Sequence, residues 1–173
     1  MEASSTLEQE AQALKHLTEK RNRGAPKTKI TFRKLDIGDF DRGYYELLAN
    51  LTVTGDVTRE RFEEQFNFIS PATSHTYKII VGIDDEKDKV VCNGTLILEK
   101  KFARNCATCG HIEDIVVHPD YGKQGIGGDL LTALSEMGKI NNCYKLILDC
   151  AEKLEPFYGR QGYKYKGIQM AKI

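Results

Sequence analysis

The sequence of 173 residues has no tryptophan, only four prolines and no formal net charge. The charge balance argues against a nucleic-acid partner, because proteins that neutralise phosphates usually carry a basic excess. No apolar run is long enough to cross a bilayer, and the first residues lack the apolar segment of a signal peptide. We therefore expect a cytoplasmic protein with no membrane span.

Cysteine is present in an odd number, which suits reduced thiols in a cytosol better than a disulfide framework. The five cysteines are Cys92, Cys106, Cys109, Cys143 and Cys150. Cys106 and Cys109 form a Cys-x-x-Cys pair, and His111 follows closely. A structural zinc site usually needs four ligands, and the sequence has no second pair of this kind. We predict no metal site.

The length and the 40% share of hydrophobic residues indicate one globular domain with a sizeable core. Residues 1–29 are rich in charge, and we predict that they form a flexible N-terminal arm. The folded domain is predicted to span residues 30–173. A marginal helix within the arm stays open, because four aliphatic residues recur there at helical spacing: Leu7, Ala11, Leu14 and Leu17.

Hydrophobic periodicity predicts an alternation of strands and helices over the remaining chain. Strands are expected at 30–35, 77–83, 90–101, 112–117, 144–150 and 163–170. Helices are expected at 40–51, 58–69, after the glycine-rich segment at 121–128, and at 154–161. The order β-α-α-β-β-β-α-β-α-β predicts an α/β fold with a mixed sheet and helices on both faces.

The glycine-rich segment at 121–128 connects the fourth predicted strand to the long helix. The first turn of a helix leaves backbone N–H groups unpaired and carries the positive end of the helix dipole, so such a turn can bind phosphate. The spacing matches neither a Walker P-loop nor a dinucleotide fingerprint. Taken alone, the glycines are better explained as a tight connection between strand and helix.

A resemblance to a known family rests on this glycine turn together with Phe157-Tyr-Gly-Arg-Gln-Gly-Tyr163 near the end. The combination resembles the GNAT superfamily of N-acetyltransferases. Within it, the chain is similar to the glucosamine-6-phosphate N-acetyltransferases at Glu99-Lys-Lys101, Gly110-His-Ile-Glu-Asp-Ile115 and Asn142-Cys-Tyr-Lys-Leu-Ile-Leu-Asp-Cys150. The resemblance implies a twisted, mostly antiparallel mixed sheet whose fourth and fifth strands splay apart.

The resemblance also implies acetyl-CoA as co-substrate, bound between the splayed strands. Its pantetheine arm would bond to main-chain groups of Ile115, Val116 and Val117. Its pyrophosphate would lie on the segment formed by Lys123, Gln124, Gly125, Ile126, Gly127 and Gly128. Gly122 stands where the family has glutamine or arginine, and Leu154 where it has asparagine, which predicts weaker cofactor binding than is typical.

For catalysis, the resemblance implies that Tyr158 protonates the leaving sulfur and that Asp149 orients the amine. Glu113 would position the amine and a water, and the general base stays unidentified. Glu113 and Asp114 are adjacent in a strand, so we expect them to point to opposite faces. The residues implied for binding the acceptor are Thr52, Lys101, Arg104, Glu113, Asp114, Tyr144, Lys145 and Asp149.

The resulting hypothesis is direct acetyl transfer to glucosamine 6-phosphate within a ternary complex, as a step of UDP-N-acetylglucosamine biosynthesis. The resemblance implies a homodimer whose two chains share the acceptor site, with Lys172 where relatives tend to carry arginine. Two alternatives stay open. The chain could acetylate another small amine or a peptide N-terminus, or it could bind acyl-CoA without catalysis.

Overall fold

The computed structural model describes residues 2–24 and 26–172, so Met1, Ala25 and Ile173 of the predicted segments lie outside it. Its strands are β1 (Ile30–Lys34), β2 (Tyr77–Asp84), β3 (Lys89–Lys100), β4 (Thr108–Val117) and β5 (Cys143–Ile147). Its helices are α1 (Glu2–Arg21), α2 (Tyr44–Leu48), α3 (Arg59–Ile69), α4 (Ala103–Cys106), α5 (Ile126–Ile140) and α6 (Glu155–Arg160). Within the described ranges, no helix combines the length and the apolar character that a bilayer span requires.

The strands form one mixed sheet, as predicted, and lie in the order β1-β2-β3-β4-β5. The first three pairings are antiparallel, and β4 pairs with β5 in parallel. Successive residues of β2 enter different cores, since Ile80 packs in one cluster while Ile79 and Val81 pack in the other. Side chains alternate between the faces of a strand, so the sheet carries an apolar core on each face.

Each core is completed by helices, which confirms the prediction of helices on both faces. On one face, α5 buries an apolar stripe consisting of Leu130, Leu131, Leu134 and Met137. On the other face, Tyr44 and Leu47 of α2 and Phe62 of α3 pack together over the sheet. The predicted helix at 40–51 is shorter than expected, because a 3-10 turn at Ile37–Phe40 precedes α2.

The prediction of a flexible N-terminal arm is wrong for the segment that forms α1. Leu14 and Leu17 are buried in the core that α5 covers. Thr18 Oγ1 accepts a hydrogen bond from Phe32 N at 2.9 Å, and Asn22 bonds to both backbone groups of Ile30 at 3.0 and 3.1 Å. These side chains bond to backbone groups at the outer edge of β1. The segment that forms α1 therefore belongs to the folded domain.

The predicted closing strand at 163–170 is also wrong, since this segment has no strand structure. Beyond Tyr163, its large apolar side chains are exposed, up to 92% for Met170, with Tyr165 and Ile168 also largely exposed. A strand requires a neighbouring edge for its hydrogen bonds. A periodic pattern shows that a segment can form a strand. It does not show whether the same chain supplies the strand edge to which that segment would bond.

Candidate active site

The parallel pairing of β4 with β5 covers only the first part of β4. It runs from Thr108 opposite Cys143 to His111 opposite Ile147, where β5 ends. The strand β4 continues to Val117 and remains paired with β3 there, through Val116 and Val117. The gap between residues 113–117 of β4 and the chain after Ile147 is called the wedge below. Main-chain groups of Ile115–Val117 on that side are open to a ligand, which fits the predicted path of an extended pantetheine arm.

A β-bulge at the mouth of the wedge interrupts the pairing of β3 with β4. Thr95 faces Glu113 and Asn93 faces Val116, so two residues of β4 lie opposite one residue of β3 between these pairs. One of them, Asp114, has a positive φ of 53°. Such a conformation is uncommon for a residue other than glycine and must be maintained by its surroundings.

Asn93 and Tyr44 provide contacts that stabilise this bulge. The fully buried Asn93 donates from Nδ2 to the Asp114 carbonyl oxygen at 3.0 Å. Its Oδ1 accepts a hydrogen bond from the Tyr44 hydroxyl at 3.3 Å. Sequence reasoning missed both residues, although an asparagine within the apolar run of β3 was an available signal.

The bulge also interrupts the strand alternation at two predicted carboxylates, Glu113 and Asp114. Ile112 and Ile115 are three residues apart, yet both pack with the α5 core. The usual alternation is therefore broken between them, and the Asp114 side chain does not pack in that core. Burial, and after it the negative charge of Asp114, raises the pKa of both Glu113 and Tyr44. The regular alternation on which the prediction of opposite faces rests is therefore absent at these two residues.

Three of the predicted carboxylates, Glu113, Asp114 and Asp149, are close enough for their charges to interact. Desolvation, followed by the charges of Asp114 and Asp149, raises the pKa of Glu113. Desolvation likewise raises the pKa of Asp114. Asp149 lies just beyond β5 and accepts a hydrogen bond from Gln169 Nε2 at 2.7 Å. A carboxylate with a raised pKa is a better proton acceptor than an ordinary one, which favours Glu113 for proton transfer.

Tyr158 lies on α6 and is 8% exposed. Its ring makes edge-on contacts with Phe157 and Tyr163, at centroid distances of 5.0 and 6.1 Å. Burial raises its pKa, so the phenol remains protonated through the neutral range. Among the described residues, no hydrogen bond engages its hydroxyl group, which leaves the proton available for a ligand.

The predicted phosphate-binding segment forms the N-terminal end of α5. Gly125 adopts a positive φ of 78° immediately before the helix. The first N–H groups of the helix, including those of Gly127 and Gly128, have no partner within it. A Cβ on Gly127 would lie 3.2 Å from Phe157 Cζ and 3.7 Å from Val117 Cγ2. These distances place the segment beside the wedge, and its role in binding stays a prediction.

The basic residues predicted for the acceptor gather around one aromatic ring. The Arg104 guanidinium lies 4.9 Å from the Tyr144 ring centroid, and the Lys145 ammonium lies 5.6 Å from it. Lys101 is held by Glu99, whose Oε1 is 2.6 Å from the ammonium. Within the described part of the chain, no hydrogen bond or ion pair joins Thr52 to this group.

The structure assembles potential metal ligands that differ from the predicted Cys-x-x-Cys pair. Side-chain atoms of Glu99, Cys109 and His111 all lie within 4.8 Å of one another, and Cys106 is not among them. His111 Nε2 is 2.8 Å from Glu99 Oε2. The same carboxylate binds the Lys101 ammonium, whose positive charge disfavours a cation at this position. We assign no metal to these residues.

Comparison with known proteins agrees with this arrangement. The family model for the acetyltransferase (GNAT) domain matches residues 75–165. The Dictyostelium discoideum protein named glucosamine 6-phosphate N-acetyltransferase 1 is 46% identical over 142 residues, covering 82% of this chain and 89% of that protein. The Arabidopsis thaliana protein named glucosamine 6-phosphate N-acetyltransferase is 40% identical over 140 residues, covering 81% and 93% of the two chains.

Solved structures show the same similarity. The crystal structure of the Arabidopsis thaliana glucosamine-6-phosphate N-acetyltransferase superposes with a TM-score of 0.80 at 39% identity. That match covers 83% of this chain and 97% of the Arabidopsis chain. A Trypanosoma brucei acetyltransferase superposes with a TM-score of 0.77 at 29% identity, covering 83% and 99% of the two chains.

Proposed function

Because the chain belongs to the GNAT acetyltransferase family, with relatives named glucosamine 6-phosphate N-acetyltransferase, we propose that it acetylates D-glucosamine 6-phosphate. Acetyl-CoA is the acetyl donor. The products are N-acetyl-D-glucosamine 6-phosphate, a precursor for UDP-N-acetylglucosamine, and CoA. The observation that supports this proposal most strongly is the wedge, which opens unpaired main-chain groups of β4 beside the N-terminus of α5.

The proposed cofactor position follows from these two features. Main-chain groups of Ile115–Val117 bond to the pantetheine arm as an extra strand would, so apolar side chains suit these positions. The N–H groups at the start of α5 receive the pyrophosphate, where the helix dipole also favours negative charge. Lys123 is exposed nearby and adds a positive charge. The acetyl group is thereby positioned at the bulge, close to the carboxylates.

The transfer is proposed to occur directly, without an acyl-enzyme. Asp149 orients the amine of the sugar, and Glu113 accepts a proton from it, through a water where needed. The amine nitrogen then attacks the thioester carbonyl, and the N–C bond forms as the C–S bond breaks. An N–H group of β4 near Ile115 or Val116 stabilises the negative carbonyl oxygen. As the C–S bond breaks, Tyr158 donates its proton to the departing sulfur. Glu113 has taken the first proton of the sugar ammonium, and the second proton of the nitrogen passes through water to the Tyr158 phenolate, so the protons balance.

The proposed phosphate position is the basic cluster around Tyr144. A sugar phosphate is dianionic near neutral pH and is bound best by several cations together. Arg104 and Lys145 meet this requirement because both lie over the Tyr144 ring, and Lys101 is proposed to add a third cation beside them. Tyr144 also offers an apolar surface against which a pyranose ring can pack. Thr52 lies in the exposed loop after α2 and is proposed to contact the substrate from the opposite side.

We further propose that the active form is a homodimer. The segment at 163–172 exposes Tyr165, Ile168 and Met170 although its sequence pattern is that of a strand. Phe68, at 83% exposure, and Phe102, at 98%, add apolar surface. A second copy of the chain would bury these side chains and complete the acceptor site near Lys172. Light scattering should report twice the mass of one chain, and a monomer with full activity would exclude this proposal.

A cytoplasmic location is proposed on the basis of the cysteines. All five are free thiols in the structure, and three of them are at least partly exposed: Cys106, Cys143 and Cys150. Free thiols are typical of a reducing compartment. Labelling the thiols in freshly lysed cells would test this proposal, because disulfides at these positions would contradict it.

The activity is tested by coupled detection of released CoA. Acetyl-CoA is supplied with glucosamine 6-phosphate or with unphosphorylated glucosamine. Hydrogen bonds to a charged group contribute about 1.5–3 kcal/mol each, so the phosphate should raise kcat/KM by at least about tenfold. Equal rates with the two sugars, or a faster reaction with another amine, would refute the proposed substrate. Binding of acetyl-CoA without CoA release from any amine would refute the enzymatic role.

A further inference from the structure

We propose that Arg21, the last residue of α1, is a positioning residue for the cofactor's pyrophosphate. On this proposal, α1 contributes a residue to the cofactor site in addition to packing against the core. The inference rests on the proposed function, because it takes the start of α5 as the pyrophosphate position. The role falls on a segment that was predicted to lie outside the catalytic domain.

Arg21 reaches the start of α5 across a separation of more than one hundred residues in the chain. Its side chain is only 8% exposed. Its Nη1 donates to the Gln124 carbonyl oxygen at 3.3 Å and forms an ion pair with the Asp129 carboxylate. Gln124 belongs to the segment before α5, and Asp129 lies in the first turn of that helix. One guanidinium therefore connects both sides of the proposed pyrophosphate position.

The charge of Asp129 explains why this contact matters for binding. A carboxylate in the first turn of a helix competes with any other anion for the N–H groups and the dipole of that helix end. It also repels a pyrophosphate a few ångströms away, most strongly where water is excluded. The segment at 121–128 contains one cation, Lys123, which is exposed. Arg21 neutralises the carboxylate and directs it away from the ligand.

The rest of α1 is anchored firmly enough to hold Arg21 in place. Glu10 is fully buried in the middle of α1 and forms ion pairs of 2.7 Å with both Lys34 and Lys78. Asn141, at the other end of α5, donates to Glu10 at 2.8 Å. Since α1 contacts both ends of α5, its position is fixed relative to that helix. The guanidinium is thereby preorganised, which lowers the entropic cost of holding the loop.

The experiment measures CoA affinity by calorimetry in the full-length protein. Arg21→Ala should raise the Kd for CoA by about tenfold, the effect of losing one charge-assisted contact. Adding Asp129→Asn to Arg21→Ala should recover most of the affinity, because the unpaired carboxylate is then removed. Lys20→Ala is the matched control, since Lys20 is exposed at the same end of α1 and should leave the Kd unchanged.

A truncated donor separates positioning from general destabilisation. S-acetylpantetheine lacks the pyrophosphate, so Arg21→Ala should react with it as fast as the wild-type chain does. Acetyl-CoA should show a raised KM with an unchanged KM for the sugar phosphate. If Arg21→Ala fails to fold, Arg21→Gln, which retains most of the side-chain packing, carries the same measurements.

Two results would overturn the inference. One is an unchanged Kd for CoA in Arg21→Ala. The other is a loss of affinity that Asp129→Asn does not restore, or that extends equally to S-acetylpantetheine. Gly125→Val tests the underlying site separately, because its Cβ branches would disturb a residue at positive φ. If Gly125→Val weakens CoA binding and Arg21→Ala does not, the cofactor site stands and the role of Arg21 falls. If neither variant weakens CoA binding, both the cofactor site and the role of Arg21 are refuted.

Discussion

Replacing Tyr158 by phenylalanine removes one hydroxyl group and leaves the ring in place. The contacts with Phe157 and Tyr163 involve the ring, and within the described residues the hydroxyl has no hydrogen-bond partner. The free energy of unfolding should therefore change by less than about 1 kcal/mol. Proton donation to the departing sulfur is lost. General acids contribute about a hundredfold or more, so kcat should fall by at least that factor, or about 2.7 kcal/mol of barrier.

The assay is CoA release at saturating substrates, followed across a range of pH. Because burial raises the pKa of Tyr158, the wild-type chain should lose activity only above the ordinary tyrosine value of 10.0, and the variant should lack this alkaline limb. CoA affinity and the melting temperature serve as controls and should not change. An unchanged kcat would remove Tyr158 from the mechanism. A large fall in melting temperature would show that the hydroxyl is structural.

Three further predictions concern the carboxylates and the phosphate position. Glu113→Gln should lower kcat yet raise the melting temperature at neutral pH. The raised Glu113 pKa means that the charged form is disfavoured in the folded state, and the substitution removes that charge. The gain in melting temperature should vanish below pH 4.5, the ordinary pKa of a glutamate. Glu10→Gln should cost about 3–5 kcal/mol by leaving Lys78 buried without its partner, a fall of about 6–20 °C in the melting temperature. Since the Glu10 pKa is lowered, the loss of stability in Glu10→Gln should shrink as pH falls. The control is Glu136→Gln, which breaks an exposed ion pair and should cost under about 1 kcal/mol. Lys101→Ala should raise KM for the sugar phosphate alone by about tenfold, and equal changes for both substrates would contradict its role.

Several positions in the site were predictable because local patterns specify them. The apolar alternation of β2 and the helical stripe of α5 depend on side-chain periodicity, which is read directly from the sequence. The turn before α5 needs positive φ at Gly125, and glycine is the residue that adopts it without strain. The identity of Tyr158 as a candidate acid came from the resemblance of the surrounding motif, since a tyrosine beside a phenylalanine has no distinctive pattern of its own.

The bulge in β4 shows where local reasoning fails. Strand alternation predicts opposite faces for Glu113 and Asp114, and this rule holds only while the pairing with β3 is regular. The irregularity is supported by Asn93, twenty-one residues away in sequence, and by Tyr44 on a different helix. No window of sequence contains these partners together. The positions of the two carboxylates therefore depend on the pairing.

The sequence by itself determined the type of the strands β1 to β5 and of the helices α2, α3, α5 and α6, the mixed sheet, the glycine turn at the start of α5 and the family resemblance. These features depend on residues that are neighbours along the chain. Only the tertiary structure decided that α1 packs against α5 and β1, that the segment at 163–170 forms no strand, and that Arg21 reaches Asp129. Each of these depends on which partner a surface meets. Partners distant in sequence compete for the same surface, and the lowest free energy of the whole fold selects among them.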